Sequence, residues 1–142
     1  MKFSHTIQTT ASAEVIWQLW TDVEKWPEWD SELKSAALEG PFTLGAVGRL
    51  SPKRGASSRF VISQLTDSDQ PKQRSYTLTV SLPLCRLRIK RFFACAEEGL
   101  YFTHEVSFEG FSAVLFRFLL GKQFRRVLPE VMQSLKVIAE AS

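Results

Sequence analysis

Two histidines are the side chains here whose ordinary pKa suits acid–base work near neutral pH. His5 stands in "KFSHTIQT", where Phe3, His5 and Ile7 alternate with polar neighbours. His104 stands in "LYFTHEVSF" and shares a face with Phe102 and Val106. An imidazole on such a face can bind a ligand oxygen or shuttle a proton. It can equally be a core group satisfied by a backbone carbonyl or a water. The nearest acids are Asp30, Glu32 and Glu105, and strand alternation turns Glu105 away from His104. No H-E-x-x-H, P-loop, G-x-S-x-G or C-x-x-C pattern is present. That argues against hydrolysis or redox work and implies neither metal nor cofactor.

The chain of 142 residues is 44% apolar and 23% charged with a net charge of +3, as expected of one globular domain spanning 1–142. So mild a charge gives no reason to expect a nucleic-acid partner. "MKFSHTIQTT" has no apolar signal-peptide core. The longest apolar tract, "FSAVLFRFLLG", is broken by Arg117 and falls short of a membrane span. On one strand, Cys85 and Cys95 would lie about 33 Å apart, too far for a disulfide. Two buried, reduced thiols in a cytoplasmic protein are the expectation.

The elements that must position these groups follow from periodicity. "KFSHTIQT" reads as a half-buried strand. Ser12 caps a helix carrying Val15, Ile16, Leu19 and Trp20. Thr21 and Glu24 have capping-box spacing for a second short helix, which Pro27 is expected to stop at Trp26. Six strands follow from Ser31 to Gly110, separated by the turns "GP", "SPKRGASS", "DSDQP", "SLPL" and "AEEG". Phe111, Leu115, Phe118, Gly121, Phe124, Leu128, Val131, Leu135 and Ile138 then advance by three or four residues, the stripe of one long helix.

Strand, two short helices, six strands and a long helix make an α+β helix-grip arrangement. A curved seven-stranded antiparallel sheet wraps the C-terminal helix. In a helix-grip fold the first and last strands would be antiparallel neighbours, and a register opposing His5 to His104 would also oppose Phe3 to Val106 and Ile7 to Phe102. Gly121 on the buried stripe and Pro129 within the helix favour a hollow interior, unless an aromatic packs against Gly121. Trp26 and Trp29 in "VEKWPEWD" are expected to close one end, as a plug or as an entrance.

"TASAEVIWQLWTDVEKWPEWDSEL" resembles the opening of START-like helix-grip proteins of the polyketide cyclase/dehydrase and lipid-transport group. "LEGPFTLGAVGRL", "EEGLYFTHEVSFEG" and "SLKVIAE" resemble its later segments in order. The resemblance implies a cavity between sheet and long helix that holds a hydrophobic molecule, lipid or polyketide-like, in a carrier or sensor. It implies no universal catalytic residue. Candidate lining residues are His5, Ile7, Trp26, Trp29, Tyr76, Leu78, Phe102, His104, Val106, Phe118, Gly121, Phe124 and Leu128. One alternative is a cyclase or dehydratase using His5 and His104 without metal or cofactor. Another is a partner-binding regulatory module whose cavity is filled by phenylalanines.

Three basic groups complete the reading. Arg86, Arg88 and Lys90 alternate on the solvent side of one strand, and Lys53, Arg54 and Arg59 surround a loop near the expected mouth. Lys122, Arg125 and Arg126 on the long helix suit weak contact with an anionic membrane surface.

Overall fold

The computed structural model describes residues 2–67, 70 and 73–142, apart from the side chains of Phe116 and Arg117. The elements run β1 (Lys2–Thr9), α1 (Ala13–Thr21), a 3-10 helix (Val23–Glu28), β2 (Leu33–Leu38), β3 (Val47–Pro52), β4 (Ser58–Thr66), β5 (Ser75–Leu82), β6 (Cys85–Ala96), β7 (Gly99–Gly110) and α2 (Ala113–Glu140). The seven strands form one antiparallel sheet in the order β1-β7-β6-β5-β4-β3-β2. This is the helix-grip order: the chain returns so that its last strand lies against its first. Ser68, Asp69 and Pro71 of the "DSDQP" turn lie outside the described residues.

The β1–β7 register places His5 opposite His104, Phe3 opposite Val106 and Ile7 opposite Phe102. Bulges between Leu33 and Ser35, and between Ile62 and Gln64, interrupt the ladders, and such bulges bend a strand.

Ser12 caps α1, its hydroxyl accepting the Val15 amide at 3.2 Å. The helix buries Ile16, Trp17 and Trp20. The capping box does not form. Thr21 ends α1, and its hydroxyl turns back to the Trp17 carbonyl at 3.0 Å, while Asp22 caps the next helix without a side-chain bond. Nor does Pro27 stop that helix, which runs through it to Glu28. The tighter 3-10 turn is short enough that few amide bonds are at stake.

α2 is unbroken from Ala113 to Glu140. Val131, Met132, Leu135 and Ala139 are buried. The far end is tied to β1, where Thr9 donates its hydroxyl to Glu140 at 2.8 Å and the Thr10 amide follows at 3.3 Å. The first third differs from the expected stripe: Phe111, Leu115 and Phe118 are exposed. Periodicity shows that a helix has an apolar face, but not that a sheet reaches far enough to cover it. Gly121 does not open the interior either, because the Phe3 ring fills the space its side chain would take.

Candidate functional site

The interior divides into two unlike halves. One is a block of aromatic rings around Trp20. Phe93 stacks on it at 4.6 Å between centroids, and Trp17, Tyr76 and Phe102 meet it edge-on at 6.1 to 6.4 Å. Phe42 joins through Tyr76 at 4.9 Å. These tilted and offset contacts are the ones aromatic quadrupoles prefer. The other half is a pocket of about 300 Å³ between the concave face of the sheet and α2. Its walls are mainly aliphatic, with Leu78 and Val80 from β5, Leu87 and Ile89 from β6, and Leu120, Val127 and Val131 from α2.

At the boundary lies a polar cluster. Arg91 continues the inward alternation Leu87, Ile89, Arg91, Phe93 along β6 and is only 5% exposed. Its guanidinium stands over the rings of Trp26 at 4.9 Å, Trp29 at 5.0 Å and Tyr76 at 5.7 Å. Such faces offset part of the cost of taking a permanent cation out of water. Nη1 donates to the Tyr76 hydroxyl at 2.6 Å. That hydroxyl donates onward to the Trp20 carbonyl at 3.0 Å. The same carbonyl, left open at the end of α1, also accepts the Trp26 indole at 3.0 Å. Trp26 is held further by stacking on Phe60 at 5.8 Å. Burial pushes the Tyr76 phenol above its usual pKa, and Arg91 partly opposes the shift.

His104 is 1% exposed and accepts the Trp20 indole N–H on Nε2 at 3.1 Å. An indole can only donate, so Nε2 carries no proton and the neutral ring holds its hydrogen on Nδ1. Burial first, then the Arg91 charge, then His5, hold His104 well below the usual histidine pKa. Asp30 also lines the pocket. Its Oδ1 accepts the Glu32 amide at 3.1 Å. Burial raises its pKa; the Glu32 amide, Arg91 and Lys53 pull the other way, while the Glu32 charge adds to the rise.

Of the residues expected to line a cavity, Trp26, Leu78, His104, Val106, Phe124 and Leu128 line this pocket. Trp29, Tyr76 and Phe102 are buried behind it in the ring contacts just described. His5 opens instead onto a shallow cleft with Phe3, Arg125 and Pro129, and Leu128 stands between the cleft and the pocket. Ile7 is a partly buried neighbour of the core. Phe118 faces outward and Gly121 lies against Phe3. Of the basic loop, Arg54 reaches the pocket wall. Arg86 and Lys90 are exposed, and Cys95, expected to be buried, is exposed as well. Sequence reasoning missed Arg91, although its parity with Leu87 and Ile89 was there to be counted.

Among the described residues no group of His, Cys, Asp or Glu could hold a metal ion, and no helix is long and apolar enough to cross a membrane. Solved structures share the fold at low identity. The di-domain ARO/CYC StfQ from the steffimycin biosynthetic pathway aligns with TM-score 0.75 and 12% identity over 99% of this chain and 50% of its own, so this chain spans half its length. A hypothetical protein from Helicobacter pylori aligns at 0.78 with 6% identity, over 97% of this chain and 86% of that one. A norcoclaurine synthase point mutant from Thalictrum aligns at 0.71 with 9% identity, over 98% and 93%. Among curated proteins no sequence matches. The family model "Polyketide cyclase / dehydrase and lipid transport" matches residues 1–140, and the chain belongs to that family.

Proposed function

We propose that this protein encloses a hydrophobic small molecule between its sheet and α2, as a carrier or sensor. The observation that carries the reading is the divided interior. Half is packed solid with interlocked rings, while about 300 Å³ beside it is walled by aliphatic side chains. That volume lies at the lower end for small-molecule sites, which pair apolar walls with a few placed polar groups. Here those groups are Arg91, His104 and Asp30. Native mass spectrometry with solvent extraction of the purified protein tests it. A bound apolar molecule is expected, and a pocket that takes up no apolar molecule overturns the reading.

A cyclase or dehydratase is the second reading, favoured by one observation: Asp30 lines the pocket, and burial raises its pKa above the usual carboxylate value. A carboxyl so placed can give or take a proton on a bound substrate. His104 would contribute Nδ1–H, since Nε2 is occupied by Trp20. His5 would take no part, because it opens onto the outer cleft. Asp30→Asn separates the readings: it abolishes turnover in an enzyme and leaves ligand uptake by a carrier intact.

Loading from a membrane fits the outer face of α2 and the turn that leads into it. Phe111 and Phe118 are 97% and 84% exposed, with Val114, Leu115 and Leu119 on the same face. Leu84, in the turn that receives the Ser112 amide, adopts φ 55° and is also exposed. A side chain other than glycine tolerates that backbone at a cost. The stripe continues into Lys122, Arg125 and Arg126, and no Asp or Glu lies between Glu109 and Glu130. Apolar residues beside unopposed cations match an anionic bilayer surface.

A further inference from the structure

Among the described residues no carboxylate lies within ion-pair distance of Arg91, although Asp30 feels its charge. Asp30 and Glu32 line the same pocket. Nη1 is committed to Tyr76, Nε is buried without an acceptor, and Nη2 makes no hydrogen bond among the described residues. Nη2 is therefore the guanidinium donor left open to the pocket, and a charge-assisted bond from it to a carboxylate is short and strong. The rings of Trp26, Trp29 and Tyr76, together with the Tyr76 hydroxyl, hold the guanidinium in place before anything binds, so little side-chain entropy is lost on capture. His104 adds an Nδ1–H donor to the same pocket.

We propose that Arg91 is the head-group anchor of the pocket and that the ligand is an apolar carboxylate. The acid head meets Arg91, and the hydrocarbon body runs along the wall of β6 past Ile89 to Leu87. Arg91 and Leu87 are four residues apart on that strand, which sets the length at about 13 Å. A medium-chain acid, or an aromatic acid of similar length, suits that span and the volume of about 300 Å³. Asp30 lies beyond ion-pair distance from Arg91, with its carboxyl tied to the Glu32 amide. It bounds the site on one side and disfavours a second negative charge, so a singly charged head suits the site better than a phosphate. This inference rests on the reading that the pocket takes up a hydrophobic small molecule.

The test is competitive binding of decanoate, methyl decanoate, decanol and decyl phosphate to the intact protein and to Arg91→Met and Arg91→Lys. Decanoate is expected to bind the native protein about ten to a hundred times more tightly than its ester or decanol. Arg91→Met removes that preference while ester and alcohol still bind. Arg91→Lys, which keeps the charge and loses the placed Nη2 donor, retains part of it. The carboxyl resonance of [1-13C]decanoate, shifted in the native complex, returns toward its free value in Arg91→Lys. Equal affinity for acid and ester, or a preference that survives in Arg91→Met, overturns the anchor while leaving the pocket reading in place. Tighter binding of decyl phosphate overturns the choice of carboxylate. Failure of all four probes to bind removes the pocket reading and the anchor with it. Should Arg91→Met not fold, the Arg91→Lys affinities and resonance decide.

Discussion

The indole N–H of Trp20 donates to Nε2 of His104 across 3.1 Å, with both rings fully buried. Protonating His104 would set a cation against that N–H and beside Arg91. The consequence for stability has a definite sign. The folded pKa of His104 is depressed, so its contribution is fully present above the unfolded value of about 6.5 and is lost as pH falls below it. Each pH unit in that window costs up to about 1.4 kcal/mol until the folded pKa is reached. Urea unfolding at pH 7.5, 6.0 and 5.0 should show the decline, and His104→Gln should flatten it. An unchanged slope in the variant would assign the acid sensitivity to another group.

Tyr76→Phe removes the one acceptor that Arg91 Nη1 has among the described residues and a donor to the Trp20 carbonyl. Loss of a hydrogen bond to a buried charge costs about 1–3 kcal/mol. The same substitution loosens the guanidinium. Decanoate affinity should therefore fall while methyl decanoate affinity holds. A drop in both would point to general collapse of the pocket wall.

Gly121→Ala is expected to destabilise, although alanine is favoured in a helix by about 1 kcal/mol. A Cβ there would come within 2.8 Å of the Phe3 ring tip. Overpacking of this kind costs about 1–3 kcal/mol. Since Phe3 and residue 121 touch, the effects should couple, and Gly121→Ala should cost less in a Phe3→Leu background. A thermal or urea double-mutant cycle measures the coupling; strict additivity would count against the contact.

Phe111, in the turn before α2, and Phe118, on its exposed face, should tolerate Phe111→Asp and Phe118→Asp with the melting temperature almost unchanged. Both should reduce cosedimentation with vesicles containing anionic lipid, as should Lys122→Glu. Binding that persists in the double aspartate variant would rule out this face as the docking surface.

How far the chain could be read in advance differed from element to element. β1 and β7 alternate so regularly that one register satisfied both apolar faces, and His5 does lie opposite His104. A period of two is a strong constraint, because a slip by one residue exposes a whole face. Arg91 escaped notice because it follows Arg86, Arg88 and Lys90 in a run that looks solvated. Only parity separates it: those three share one face of β6, and Arg91 shares the other with Leu87 and Ile89. Trp26 and Trp29 stood out as bulky residues in a polar turn, yet nothing local indicated that a guanidinium from a distant strand would lie over both. The Thr21 hydroxyl had two ways to be satisfied, and the carbonyl of its own helix won over the cap. Phe111 and Phe118 kept helical spacing without a sheet above them.

The divided interior also bears on how this chain can change over generations. Trp20 and the rings around it hold the fold, and a substitution there risks the whole molecule. Leu120, Phe124 and Val127 border the space beside it, so their side chains can shrink or lengthen with far less at stake. On the proposed reading, stability and ligand selectivity rest on different residues, so the pocket half can be recut for a new ligand while the aromatic half stays as it is.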